Sequence, residues 1–590
     1  MRKKNWPKAL LCIPAAAALA HGVGGRYWLA DFAVLLALLL MALYRLDSGG
    51  FTPRRSQLWA AGLFSCLLAA SLVCGSHLHI EDPYSGLATD NYFEPFSAWD
   101  LVMYFCMVGG LMLLFLALLH WLSRCVEKNT APDYTQSVVR SRYFRLLWLA
   151  LFLAWLPYLL RYTPGTISTD SQTSLAQALG LERLSNRHPL ILALVLRLCL
   201  LAGGAFSGGD MTPGCLLYTV MQMLCLSGSI AYLVEWLVRR FRLTPVWRLF
   251  LGAVFAVDPY MAINAIAMWK DPCFAASFVL WTLSLTDLCF SKGELLHSRG
   301  WRLRFVLFGL LTLFWRNNGV ASAVFLAGVL ALWLLVSRKC EQRIRRRLRQ
   351  TLALTLAVLL IWAGTVRFGY RAAGIPNAPR EESVGVMLNQ MAAVAATGGR
   401  MDEQERDYLE SLMPLEVYAE AYRPCSVDLL KWDARMNTEA LASKRFFTTW
   451  LSLLWKNPGR YLSAWALNCY GFWTVNRAEI REQAAGIEYP VTLNFPPYTL
   501  REEPLLPGGP LRELPLYSRS LPAGVLAWLL LAVVLLLVLT RRTSLLLPLS
   551  LSVGLILGLL VGTPLWYLPR YALPVQFLAP YYLLLAWKGK

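Results

Sequence analysis

The stretch Leu101-Val-Met-Tyr-Phe-Cys-Met-Val-Gly-Gly-Leu-Met-Leu-Leu-Phe-Leu-Ala-Leu-Leu-His120-Trp-Leu122 contains no Asp, Glu, Lys or Arg. It is long enough to cross a bilayer as one helix, which takes about 20 apolar residues. A helix of that length in a soluble protein would keep a polar face. Runs that approach or reach this length recur to either side, from Phe32 to Tyr44, from Leu352 to Ala363 and from Leu526 to Leu539. The chain of 590 residues is 57% hydrophobic and 16% charged, with a mean hydropathy of +0.47. These values predict an all-α polytopic membrane protein, and walking the apolar runs gives about 14 spans.

The net charge of +20 does not point to nucleic acid, because the Lys and Arg residues sit in short clusters between apolar runs and form no basic stripe interleaved with aromatics. Phospholipid headgroups are the expected partner. The positive-inside rule puts Arg2 to Lys8, Arg45 to Arg55, Arg124 to Arg145, Arg239 to Arg248, Ser291 to Arg304, Arg338 to Arg349, Arg541-Arg542 and Lys588 to Lys590 in the cytoplasm, with both termini. The alternation holds only if Leu190 to Phe206 is a re-entrant or interfacial helix. The run after Met1-Arg-Lys-Lys is read as an uncleaved first span, since no clear cleavage site precedes a soluble domain.

Four parts follow: N-terminal membrane helices over 1–142, a membrane core over 143–370 with an outer loop at 162–212, an extracytoplasmic segment over 371–520, and C-terminal membrane helices over 521–590. In the outer segment, Tyr408, Leu412, Leu415 and Tyr418 are spaced for one apolar face of a helix from Met401 to Tyr422. Phe446 to Trp455 reads as an amphipathic helix, and Pro490 to Pro510 as irregular. Most of the thirteen cysteines lie in apolar runs, where the side chain packs as a small hydrophobe. Only Cys425 and Cys469 are placed for a single bridge, and no metal-ligand spacing occurs.

Ionisable residues kept at membrane depth are the natural place to look for function. Asp170, in Pro164-Gly-Thr-Ile-Ser-Thr-Asp170-Ser, can accept a proton from a hydroxyl or ligate a divalent cation; it can equally cap the helix that follows. Arg187-His188-Pro189 offers a guanidinium and an imidazole for phosphate or an acceptor, or a simple interfacial anchor. Lys270-Asp271-Pro272 sets opposite charges between two apolar runs, either around a phosphate or in a tight turn. Arg316-Asn317-Asn318-Gly319 can hold phosphate or sugar hydroxyls, and Asn-Gly also turns well. Arg570-Tyr571 pairs a cation with an aromatic platform, or belongs to an interfacial belt. Asp258-Pro259 is read as a kink.

The motifs Pro164 to Ser171, Asn186-Arg-His-Pro189, Met268-Trp-Lys-Asp271, Arg316-Asn-Asn-Gly319 and Arg570-Tyr571 resemble an uncharacterised bacterial family, the DUF6020-like membrane proteins, from about residue 140 to the end. Leu388-Asn-Gln390, Asp428-Leu-Leu-Lys431, Asn457-Pro-Gly-Arg-Tyr461 and Asn468-Cys-Tyr-Gly-Phe-Trp473 are similar to that family's outer segment. The family looks like a branch of the GT-C glycosyltransferases. The resemblance implies a GT-C-like helix bundle in a bacterial cytoplasmic membrane that moves a sugar from a polyprenyl phosphate to a cell-envelope glycan, lipid or protein. Asp170 would be the catalytic acid or base; Arg187, His188, Lys270, Asp271, Arg316, Asn317, Arg570 and Tyr571 would bind substrate. Ser171 stands where many such enzymes have a second acid, so a divalent cation such as Mg or Mn is left open, and Arg187 stands where a second His is expected, which argues against a double-imidazole role. The alternative is a transporter or flippase of lipid-linked glycans.

Overall fold

The computed structural model describes residues 6–24, 27–78, 93–128, 132–336, 341–475, 495–501, 505, 514, 521–562, 565 and 569–589. Among these residues the secondary structure is helical, with isolated β-bridges and no strand. Among the described residues nine helices are long and apolar enough to cross a membrane, or ten if Pro245–Val257 and Pro259–Ile266, bent by 60°, form one span. The expectation of about 14 spans also counted shorter apolar runs. The bend falls at Asp258-Pro259, as expected: the Asp258 carboxylate accepts from Tyr260 N at 3.0 Å and starts the second helix.

The difference lies in shorter apolar helices, since hydropathy registers apolar composition and not helix length. Arg299–Trp315 and Ala523–Leu539 have 17 residues each, and the C-terminal apolar run is divided into Leu573–Phe577 and Ala579–Lys588. Leu190–Ala202 has 13 residues and extends roughly 20 Å, too short for a bilayer core of about 30 Å. Its length agrees with the re-entrant or interfacial reading.

That short helix is held against Thr212–Arg240 by backbone contact. A Cβ on Gly214 would lie 2.6 Å from Leu200 Cα. Gly214→Ala is accordingly expected to cost about 1–3 kcal/mol through overpacking, read as a lowered Tm in detergent.

The Thr212–Arg240 and Asp271–Phe290 helices form the buried centre of the bundle. Cys12–Val23, Trp28–Gly49, Arg55–Ser76 and part of Ala98–Lys128 enclose a separate apolar core that includes Leu19, Leu39, Leu72 and Met107. The outer segment has a third core, built by helices including Gly385–Ala396, Glu403–Leu412, Leu415–Ala421, Lys444–Lys456 and Pro458–Asn468. Pro414 divides the single helix expected from Met401 to Tyr422 in two, although Tyr408, Leu412 and Tyr418 are buried as expected. Cys425 and Cys469 are both buried free thiols, so no bridge joins them. The Pro-rich stretch from 490 to 510 lies largely outside the described residues.

The basic loops gather at one end of the bundle. There Glu235 binds Arg239 and Arg248, each at 2.6 Å, Asp287 binds Arg240 at 2.6 Å, and Lys588 Nζ donates to the Phe241 carbonyl at 3.4 Å. These buried acids are neutralised by arginines from neighbouring turns and helices. The opposite end carries the candidate site.

Candidate functional site

Asp170 is brought beside Lys270 by a backbone splice. Thr166 N donates to the Ile266 carbonyl at 3.1 Å and Met268 N to the Thr166 carbonyl at 3.0 Å. The splice needs glycine at position 165, where φ is +129° and a Cβ would meet the Ile266 carbonyl oxygen at 2.8 Å. Ser171 Oγ donates to the Met268 carbonyl at 2.8 Å, and Trp269 Nε1 donates to Ser168 Oγ. From the other side, Tyr218 OH holds the Trp269 carbonyl at 3.1 Å and Gln222 Nε2 the Ala265 carbonyl at 2.9 Å. The loop is thus fixed on both faces where its charged residues emerge.

Asp170 does not cap its helix. Ser168 takes the N-cap position of Thr169–Leu179, and the Asp170 carboxylate instead meets Lys270 Nζ at 3.1 Å and Arg570 Nη1 at 2.9 Å. Burial would raise this carboxyl, but Lys270, Arg570 and the neighbouring His188 hold it well below the usual carboxylate range. It is therefore ionised at neutral pH.

Asp271, fully buried at the start of its helix, pairs with Arg316 and lies 3.5 Å from Arg570 Nη1. The Arg316 guanidinium stacks 4.1 Å from the Tyr571 ring centre, and that of Arg570 sits 4.7 Å from the Trp269 ring centre. Burial pushes Arg316 down to about 10 and the Tyr571 phenol up to about 12. Both keep their ordinary protonation at neutral pH. Tyr571 thus serves as a packing platform at the cavity wall.

Asn186 N donates to the Pro376 carbonyl at 2.9 Å, which sets the register of Arg187-His188. Nδ1 of His188 lies 3.1 Å from Lys270 Nζ. An ammonium only donates, so Nδ1 accepts and Nε2 carries the proton. Burial, reinforced by the charge of Lys270, pushes the imidazole down to about 3. Below pH 6.5 the unfolded chain binds a proton that folded His188 refuses, so the stability this group contributes above pH 6.5 is lost as pH falls towards 3. The Tm of the wild type should consequently fall more between pH 6.5 and 4.5 than that of His188→Gln, and parallel curves would remove His188 as the cause.

Asp170, His188, Lys270, Arg316, Arg570 and Tyr571 line a cavity of about 450 Å³ that also takes in Asn317 and Asn318 at the Arg316 turn, whereas the buried Asp271 does not line it. Arg187 reaches over Trp432, 3.9 Å from the ring centre, and remains 41% exposed. The outer segment closes the cavity with Glu382, Asp428, Lys431 and Trp432, and Lys431 Nζ meets Glu382 at 3.1 Å and Asp428 at 2.8 Å. The sequence reading assigned none of these four to the site. They come from a polar segment in which charge is common; the only pointer was Asp428-Leu-Leu-Lys431 among the stretches similar to the family.

Five cations, Arg187, Lys270, Arg316, Lys431 and Arg570, face Asp170, Glu382 and Asp428 across this space. With His188 neutral, the lining carries an excess of positive charge suited to a phosphate group. It does not suit a divalent cation: among the described residues no three His, Cys, Asp or Glu side chains converge as a metal set, and each site carboxylate already faces a lysine or arginine.

A family described as a family of unknown function, DUF6020, matches residues 181–590. The chain belongs to the DUF6020 family. The match begins later than the expected residue 140 and just downstream of Asp170, but it takes in His188, Lys270, Asp271, Arg316 and Arg570. No curated protein and no solved structure matches the chain. This DUF6020 member is a multi-pass membrane protein, with the bilayer as a partner.

Proposed function

We propose that this DUF6020 protein is a membrane glycosyltransferase of GT-C type. It would move a sugar from a polyprenyl-phosphate donor to a hydroxyl of a cell-envelope glycan, lipid or protein at the outer face of a bacterial cytoplasmic membrane. The observation that carries the reading is the ionised Asp170 held between Lys270 and Arg570 at the wall of a cation-rich cavity. The basic loops at the opposite end of the bundle support an outward-facing cavity and cytoplasmic termini, by the positive-inside rule.

In the transfer the acceptor hydroxyl oxygen bonds to the anomeric carbon while the bond from that carbon to the phosphate oxygen breaks. The electron pair leaves with the polyprenyl phosphate, and Lys270, Arg316 and Arg570 stabilise the charge that develops there. The hydroxyl proton passes to Asp170. While its partners are lysine and arginine this carboxylate is a weak base. Donor phosphate that draws Lys270 and Arg570 away relieves the field and raises its proton affinity. The base is thereby strengthened by donor binding.

A lipid-linked glycan flippase would use the same outer cavity with charges continuing through the opposite half of the membrane. Glu235 and Asp287, buried in that half, are neutralised by arginines and do not line the cavity, which favours transfer. The test is to incubate purified protein in lipid with a panel of polyprenyl-phosphate sugars and acceptors and to measure release of polyprenyl phosphate. Release is expected from at least one donor; none from any donor, with the protein folded, overturns the transfer reading.

A further inference from the structure

A second basic pocket lies on the far side of the strand-like contact that positions His188. Arg183, Arg367 and Arg371 line a concavity of about 530 Å³ floored by Gly374-Ile-Pro-Asn377, and no carboxylate lines it. Asn186 and Asn377 form a backbone bridge. Asn377 faces this pocket and Ala378 the candidate site, so the two cavities stand back to back.

Folding explains only one of the three arginines. Arg183 Nη2 donates to the Gly374 carbonyl at 2.8 Å. Among the described residues neither the Arg367 nor the Arg371 side chain has a hydrogen bond or an ion pair. They stand four residues apart at the end of the long apolar helix Gln342–Ala372, a spacing at which like charges repel. Membrane orientation does not call for them either, since the basic loop clusters gather at the opposite end. Arg367 lies in a π-helical turn, Thr365–Gly369, a local rearrangement often found at binding sites. Phe368 beside it is 68% exposed, as an aromatic that enters lipid at the interface would be.

We propose that Arg183, Arg367 and Arg371 form a phosphate-binding site at the membrane surface, separate from the transfer cavity, which takes the phosphate of an anionic lipid headgroup or a free phosphate anion. Three guanidiniums without an acid supply forked donors matched to phosphate oxygens. The inference does not depend on the transfer reading.

The full-length protein, purified in detergent, would be mixed with phosphatidylglycerol, with phosphatidylcholine, or with inorganic phosphate, and bound lipid and Tm measured. Wild type is expected to retain phosphatidylglycerol several-fold over phosphatidylcholine. The double variant Arg367→Gln, Arg371→Gln should lose that preference with an unchanged Tm in plain detergent, whereas Arg367→Lys, Arg371→Lys keeps most of it. Stabilisation by inorganic phosphate in wild type and not in the Gln variant would support the site with a free anion as its ligand. Equal retention of phosphatidylglycerol by wild type and the Gln variant, without a phosphate effect, overturns the proposal. If the Gln variant melts early in plain detergent, Arg183→Gln replaces it under the same criteria.

Discussion

Asp170→Asn should fold and enter the membrane as wild type does, yet transfer sugar about 10²–10⁴-fold more slowly, the range over which a positioned acid or base contributes. The carboxamide keeps the shape of the side chain while removing the carboxylate charge that touches both Lys270 and Arg570. Lys270 then loses this counter-charge, and Arg570 is left facing Asp271 at 3.5 Å. Polyprenyl phosphate, the product, is therefore expected to bind the variant more tightly than wild type, so that turnover falls while affinity rises. A merely structural aspartate would lose both. Release of polyprenyl phosphate at wild-type turnover by the Asn variant would remove Asp170 from the chemistry.

The largest effect on stability is expected from Asp271→Ala. This carboxylate is fully buried and faces Arg316 and Arg570, and its loss leaves two guanidiniums in a poorly hydrated wall. Breaking a buried pair from one side costs about 3–5 kcal/mol, enough to exhaust much of the stability of an ordinary fold. The variant should elute as aggregate or melt well below wild type in detergent. Replacing both partners, with Asp271→Leu and Arg316→Met, should restore much of the Tm without restoring transfer. If Asp271→Ala melts as wild type does, the pair has no structural role.

Asp170, His188, Lys270, Asp271, Arg316 and Arg570 were legible in the sequence because each interrupts or adjoins an apolar stretch in which an ionisable group is costly. The same contrast is absent from the outer segment, where Glu382, Asp428, Lys431 and Trp432 are a few polar or aromatic residues among many. Hydropathy identified a helical membrane bundle but not how its apolar runs divide, because the break between Leu573–Phe577 and Ala579–Lys588 leaves no mark in apolar composition. The kink at Asp258-Pro259 was readable from two residues. The break at Pro414 was missed because the apolar spacing continues across it, and periodicity alone carries no record of a missing backbone donor.

The partnership of Asp170 with Arg570 spans 400 residues, and this separation bears on how the protein is made. At roughly 5–20 residues per second, the ribosome delivers Arg570 on the order of 20–80 s after Asp170. During that interval Lys270, itself only 100 residues away, is the one cation of the pair available to the carboxylate. Asp170 gains its second countercharge only when the last helices have entered the bilayer, so a nascent chain stopped before them would hold the acid with half of its electrostatic cradle.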